Sequence, residues 1–288
     1  MNRHRIAPYL FVLPNMVLFA LFTIWPAING FNISRYDSSN GRTFRPVGAG
    51  NYAELAESAE FWRVAGQTAV FVVSLVLLTT VASTALALLL HAQRRAAGAF
   101  RAAYFVPFVV SPVVAGLIWS LALERQNGLV NAVLSELGLG RPGWLLDGRL
   151  AMVVIIGVGL WAQLGFYALI QLAGLQGIDA GLYEAARIDG ASGWQQVRSI
   201  TLPLLRPTTL VVVVLATIHG FQAFDYIYTL TGGGPLGATT LIVQYIYDSS
   251  FQSPIRYGLA SAAGVVLFVT VLGVTLANYL LGRRREVM

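Results

Sequence analysis

Two short sets of polar residues interrupt otherwise apolar stretches of the chain, and they define the chemistry on offer. Trp161, Gln163, Tyr167 and Gln171 fall in one stretch. His219, Gln222 and Asp225 fall in another, at i, i+3 and i+6, which puts them on roughly one face of a helix. Polar groups inside hydrocarbon are costly and often functional. Amides and aromatic rings together suit a sugar, whose hydroxyls need donors and acceptors and whose ring faces stack. Interhelical packing and hydrogen bonding use the same residue types. No nucleophile or metal constellation accompanies them, since His4, His91 and His219 are scattered.

The composition excludes further classes. With no Cys, there are no disulfides, Cys-ligated metals, iron–sulfur clusters or thiol nucleophiles. All 19 basic residues are Arg. A phosphate-binding loop of the G-x-x-x-x-G-K-[ST] kind needs its Lys, so this chain does not bind ATP in that way. Lysine Schiff-base chemistry is excluded too. No apolar stretch carries an internal Arg, so the chain offers no obvious ligand for a phosphate or carboxylate there.

The elements that must position these residues are membrane helices. Hydrophobic residues make up 56% of the 288, charged residues 11%, and the mean hydropathy is +0.67. Soluble chains carry about 25% charged residues, so an all-α integral membrane protein is expected. A span needs roughly 20 apolar residues. The uncharged stretches predict six transmembrane helices in a single domain, 1–288, at about 7–33, 64–92, 102–123, 150–176, 207–229 and 258–282. The first is expected to be an uncleaved start rather than a signal peptide, because the apolar run is too long. Pro8, Pro14, Pro26, Pro107 and Pro112 lie in or beside spans. After span five, Thr231, Gly232, Gly233, Gly234 and Pro235 break the apolar run, and Leu241–Tyr247 is too short to cross. A short interfacial or re-entrant helix is expected there.

Arginine placement sets the orientation. Arg3, Arg5, Arg94, Arg95, Arg101, Arg187, Arg198, Arg206, Arg283, Arg284 and Arg285 all fall on one side if both termini are cytoplasmic. Four acids accompany those eleven arginines, against nine acids and eight arginines on the other side. The positive-inside rule therefore favours cytoplasmic termini, and the net charge of +6 is a topology signal rather than a nucleic-acid footprint.

The loop at 177–206 is rich in helix punctuation. Asp179 is expected to cap a helix through Leu182, Tyr183, Ala186 and Arg187, with Gly190 as a left-handed stop. Ser192 and Gln195 make a capping-box pattern. The second helix would present Trp194, Val197 and Ile200 on one face and stop ahead of Pro203. Short amphipathic helices need something to pack on, either a partner protein or the bundle's own end.

The run Glu184, Ala185, Ala186, then Gly190, then Ile200, Leu202 and Pro203 resembles the EAA loop of binding-protein-dependent ABC importers. Ile188-Asp189-Gly190-Ala191-Ser192 and the later Phe224–Tyr228 segment, running to Thr231-Gly232-Gly233-Gly234-Pro235, are similar to the carbohydrate branch, of the MalF and UgpA type. The chain departs from the maltose permease in lacking extra N-terminal spans and a large periplasmic insertion. The resemblance implies the type I permease fold, with a cytoplasmic coupling helix pair between spans four and five. It implies that Glu184 pairs with a basic residue of an ATPase subunit, that Gly190 permits the turn, and that Trp194 and its apolar neighbours fill a cleft there. It also implies that 231–235 lies on the outer side, where a binding protein docks. The expected assembly holds a second homologous permease, an ATP-binding subunit dimer and an extracytoplasmic substrate-binding protein in a bacterial cytoplasmic membrane. This chain would bind no cofactor and no metal, with ATP and Mg on the partner ATPase.

The expected function is one half of the translocation path for a sugar or oligosaccharide. Other readings are a glycerol-phosphate-like or polyol importer of the same architecture, or an ion-coupled secondary transporter. The latter should show embedded carboxylates or duplicated halves with broken helices, and Asp225 is its only candidate carboxylate.

Overall fold

The computed structural model describes residues 3–92 and 97–284, with side chains at 11–91, 103–280 and 282. Arg94, Arg95 and Arg285 of the orientation argument lie outside the described residues, as do the side chains of Arg3, Arg5, Arg101, Arg283 and Arg284.

In chain order the helices begin with α1 (Arg3–Phe19) and α2 (Trp25–Ile33), joined by a π turn at Ala20–Ile24. A two-stranded antiparallel hairpin follows, β1 (Tyr36–Asp37) with β2 (Arg45–Pro46). Next come α3 (Gly50–Glu57), α4 (Ala59–Ala92), α5 (Ala97–Val109), α6 (Pro112–Ala122), α7 (Leu129–Glu136) and α8 (Gly148–Gln176). The second half holds α9 (Ala180–Ile188), α10 (Gly193–Gln196), a π turn at Val197–Thr201, α11 (Leu202–Leu204) and α12 (Arg206–Phe221). It ends with α13 (Asp225–Thr231), α14 (Ile242–Phe251) and α15 (Tyr257–Arg284). Apart from the hairpin, every element is helical, as the hydropathy requires.

Among the described residues, four continuous helices are long and apolar enough to cross a membrane: Phe11–Ile33, Ala59–His91, Gly148–Gln176 and Tyr257–Leu280. Two bent pairs bring the number to as many as six. The third span, expected at about 102–123, contains a break. It is two helices, Ala103–Val109 and Pro112–Ala122, at 108° to each other. Ser111 has an extended backbone (ψ 132°), as the residue before a proline prefers, and Pro112 then starts a new helix from its first turn. The fifth span, expected at about 207–229, is interrupted within those bounds. α12 ends at Phe221, and α13 restarts at Asp225 after a non-helical Phe224 (φ −149°, ψ −60°).

The chain falls into two compact units, residues 1–63 with 245–269 and residues 64–244 with 270–288. In the first, Asn51 is buried and donates to the carbonyls of Ser34 and Tyr36 at 2.8 and 2.9 Å, tying α3 to the chain that leaves α2. Glu54 and Arg256 form a two-pronged ion pair, one prong at 2.6 Å. Arg256 holds the Glu54 carboxyl below its usual range.

In the second unit, α4, α8, α12 and α13 surround a core of Phe71, Leu75, Ile155, Tyr226, Ile227 and Leu241. Close approach depends on small residues. A Cβ at Gly165 would collide with the Tyr104 carbonyl, so α5 lies directly on α8. A Cβ at Gly116 would collide with the Thr229 hydroxyl, so the half-helices α6 and α13 lie on one another. The Tyr226 hydroxyl donates to the Ile155 carbonyl at 3.2 Å and anchors α13 on α8.

Candidate functional site

The helix pair at 179–204 forms as its punctuation requires. Asp179 caps α9 by accepting from the Gly181 N–H at 2.9 Å. At the far end Gly190 has φ +78°, its N–H bonds the Arg187 carbonyl at 3.1 Å, and the Ala191 N–H bonds the Ala186 carbonyl at 2.9 Å. Those two bonds make a Schellman stop. The Ser192–Gln195 capping box opens α10, with the Ser192 N–H on Gln195 Oε1 at 2.7 Å. The hydroxyls of Tyr183 and Thr201 meet at 2.9 Å and join the two helices.

The expected stop ahead of Pro203 is wrong. The helix runs through to Leu204 and then bends 64° into α12. Pro203 lacks an N–H and its ring would strike a carbonyl in the preceding turn. The wider π turn at Val197–Thr201 gives the ring room.

Glu184 and Ala185 are exposed, Ala186 is half-buried, and Glu184 makes no ion pair among the described residues. Ile188 is 87% exposed and Leu182 is exposed as well, an apolar presence on α9 that the motif alone did not single out. Trp194 is 70% exposed and stands at the edge of a cavity it shares with Val197 and Leu202. Ile200 and Pro203 are half-buried.

The intramembrane polar set divides. Tyr167 on α8 is fully buried, and its hydroxyl lies 2.8 Å from His219 Nδ1 on α12. The aromatic chain Phe105, Phe108, Phe166, Tyr167 leads to it, with Phe108 and Phe166 stacked at 4.5 Å. Gln171 is fully buried lower on α8, where its amide donates to Thr84 Oγ1 at 3.1 Å and Thr209 Oγ1 at 3.2 Å. Trp161 meets Trp119 edge to face at 5.6 Å. Gln163 Oε1 and Trp119 Nε1 are buried without a hydrogen-bond partner.

His219, Gln222 and Asp225 do not share one helix face, because the helix ends between them. Gln222 caps the C-terminal end of α12, Asp225 is the first residue of α13, and both are exposed at the break. At the break the Gln222 and Ala223 N–H groups bond the Ile218 and Gly220 carbonyls at 3.1 and 3.3 Å, and the Phe224 carbonyl accepts from the Tyr228 N–H at 2.8 Å. Only the Pro112 signal pointed to such interruptions; nothing in Phe221–Phe224 marked the second one.

The segment 231–235 is a knotted turn. Thr231 Oγ1 lies 2.8 Å from Thr239 Oγ1, which donates to the Gly234 carbonyl at 2.8 Å. Gly232 and Gly233 have φ +58° and +87°, and Gly233 is buried against Thr240 and Gln244. The Gln244 amide donates to the Gly232 carbonyl at 2.9 Å. The short helix expected at 241–247 is α14, which begins at Ile242 and runs on to Phe251.

Over residues 80–287, α4 to the last helix, the chain matches the family described as binding-protein-dependent transport system inner membrane component. The chain belongs to this family. It is thus an ABC permease component of an inner membrane and is not itself the ATPase. The trehalose/maltose transport system permease MalF of Thermococcus litoralis is 37% identical over 279 residues, 96% of this chain and 94% of that one. The sn-glycerol-3-phosphate permease UgpA of Agrobacterium fabrum is 34% identical over 280 residues, 94% and 93% of the two chains. The lactose permease LacF of Rhizobium radiobacter is 31% identical over 283 residues, 96% and 94%.

Two solved structures agree. A bacterial ABC transporter that imports the acidic polysaccharide alginate is 28% identical with a TM-score of 0.85, covering 96% of this chain and 95% of that one. The alginate transporter in complex with an alginate pentasaccharide-bound periplasmic protein is 27% identical with a TM-score of 0.86, covering 97% and 95%. The two broken spans, a feature expected of secondary transporters, therefore occur in a permease of the ABC class.

Proposed function

We propose that this chain forms half of the translocation path of an ATP-driven carbohydrate importer. It pairs with a second, homologous permease, rests on a dimer of ATP-binding subunits, and receives solute from an extracytoplasmic binding protein in a bacterial cytoplasmic membrane. ATP and Mg2+ sit on the partner ATPase, and both termini of this chain are cytoplasmic. The observation that carries this reading is the exposed, internally braced helix pair at 179–204. Glu184, with no ion pair among the described residues, and a largely exposed Ile188 stand on a helix fixed at both ends by Asp179 and the Gly190 stop.

In this reading Glu184, Ala185, Ala186 and Gly190 form the coupling surface, with Ile188 and Leu182 supplying apolar contact. Ile200 and Pro203, both half-buried, set the second helix against the bundle, with Trp194 and Leu202 exposed at its edge. Solute passes by the break at 222–224, where Gln222, Asp225 and His219 offer polar contacts, and past Trp161 and Gln163. Tyr167 and Gln171 act there by positioning, since both side chains are buried. The turn at Thr231, Gly232, Gly233, Gly234 and Pro235 offers its outer surface to the binding protein.

A carbohydrate is favoured over glycerol phosphate because no described span interior holds an Arg to meet a phosphate. The relatives' names span disaccharides, a glycerol phosphate and an acidic polysaccharide, so the substrate is testable directly. Proteoliposomes holding the whole transporter, with its binding protein and internal ATP, should take up a neutral oligosaccharide. Uptake of sn-glycerol-3-phosphate alone would replace carbohydrate with the phosphorylated polyol. Uptake driven by an ion gradient without ATP would overturn the importer itself.

A further inference from the structure

A cavity of about 880 Å3 lies within the second unit, between α4, the helix at 193–204, α12 and the last turns of α15. Its walls are Val81, Ala85, Leu88, Leu202, Leu210 and Val213. From Thr80 to Leu88 it runs about 12 Å along α4, at about 1.5 Å per residue, close to one half of a bilayer's hydrocarbon thickness.

The polar groups in the walls are almost all engaged inside the protein. Thr84 and Thr209 donate to the Thr80 and Leu205 carbonyls at 2.8 and 3.0 Å and accept from Gln171. Asn278 donates to Thr217 Oγ1 at 3.3 Å. The Thr80 hydroxyl is the only one of these left without a partner. A sugar would find little to bind here. At the end of the cavity nearest the coupling helices stand two groups of another kind. Arg206 is exposed and makes no ion pair among the described residues, and the Trp194 indole is largely exposed at the edge. An apolar slot one leaflet deep, with a cation and an indole at its headgroup end, matches the charge and depth of an anionic lipid.

We propose that this cavity seats one anionic phospholipid of the cytoplasmic leaflet, its phosphate on Arg206 and an acyl chain along Val81, Ala85 and Leu210. The bound lipid braces α12 against the second coupling helix at the bend where the two meet. The leaflet follows from the orientation proposed above. Lipid retention does not depend on it, nor on ATP coupling, so failure here and failure of the importer reading are separable.

The test is native mass spectrometry of the assembled transporter in mild detergent, with phosphatidylglycerol and phosphatidylcholine added in turn. The intact chain should retain phosphatidylglycerol in preference. Arg206→Gln should cut that preference about fivefold, the contribution of one basic residue near the surface, while Arg206→Lys keeps most of it. Ala85→Trp, at an exposed position that leaves the core untouched, should expel both lipids. Equal retention of the two lipids, unchanged in Arg206→Gln, would overturn the proposal. So would Ala85→Cys cross-linking to a second polypeptide in place of a photoreactive lipid, since a protein segment would then fill the cavity.

Discussion

The phenol oxygen of Tyr183 lies 2.9 Å from Thr201 Oγ1, and Thr201 is itself buried, so α9 and the helix at 193–204 are latched at their base. The latch sits where α9 and the π turn meet the bundle. If the proposed ATPase docks on the exposed face of α9, a push there would pass through this latch to the helix that bends into α12.

Tyr183→Phe removes one hydrogen bond, worth about 1 kcal/mol, and keeps the ring. Transport per ATP hydrolysed should fall about fivefold, while the assembled complex stays intact. Uptake and phosphate release measured together in proteoliposomes check this; an unchanged ratio would show that the latch carries no force.

Gly190 has φ +78° and open space where a Cβ would stand, so the cost of a side chain there is purely conformational. A left-handed non-glycine residue costs about 1–2 kcal/mol. Gly190→Val should weaken retention of the ATPase by about tenfold in a pull-down, and Gly190→Asn much less, because Asn tolerates that conformation.

Gln171 is the single side chain that bonds α4 and α12 to α8 at this level. Gln171→Leu leaves the Thr84 and Thr209 hydroxyls with only their own-helix carbonyls. About 1–3 kcal/mol of stability should be lost, read as a lower thermal midpoint of the detergent-purified complex.

Gly165 admits the Tyr104 backbone where any side chain would collide. Overpacking costs about 1–3 kcal/mol or more, and a backbone neighbour cannot rotate away. Gly165→Val should therefore abolish accumulation in the membrane. Gly157→Ala on the same helix, with nothing within 4 Å, should be neutral. Immunoblots of membrane fractions distinguish the two.

The Glu54–Arg256 pair is acid-sensitive. Because Arg256 lowers the Glu54 carboxyl, the pair's contribution is present above the ordinary carboxylate pKa and is lost as pH falls through the lowered one. Both groups are partly exposed, so the contribution is at most about 1 kcal/mol. The thermal midpoint of Arg256→Gln should lie below that of the parent at pH 7. The two should begin to converge as pH falls through the ordinary carboxylate value of about 4.3 and coincide only below the lowered Glu54 pKa.

The sequence was most legible where local chemistry decides the backbone. Asp179, Gly190 and the Ser192–Gln195 pair fixed the coupling helices before any packing was considered, because caps and a left-handed glycine act within a few residues. Hydropathy likewise located four spans. It failed at 109–112 and 221–225, where α6 and α13 are held by contacts such as Gly116 on Thr229 that join positions 113 residues apart. The substrate set suffered for the same reason. Periodicity put His219, Gln222 and Asp225 on one face, but the face ends at Phe221, and Gln171 finds its partners on two other helices.

The central claim is that an external ATPase drives this permease through Glu184 and its neighbours. The most direct measurement is a pull-down of the tagged chain from membranes in mild detergent, beside Glu184→Ala, with each co-purifying subunit quantified. The account predicts an ATP-binding subunit and a second permease with the parent chain. In the variant the ATPase should be depleted tenfold or more, since removing a partner of a docked charge pair costs about 2–5 kcal/mol. A chain that emerges alone, or an ATPase retained equally by both, would contradict it.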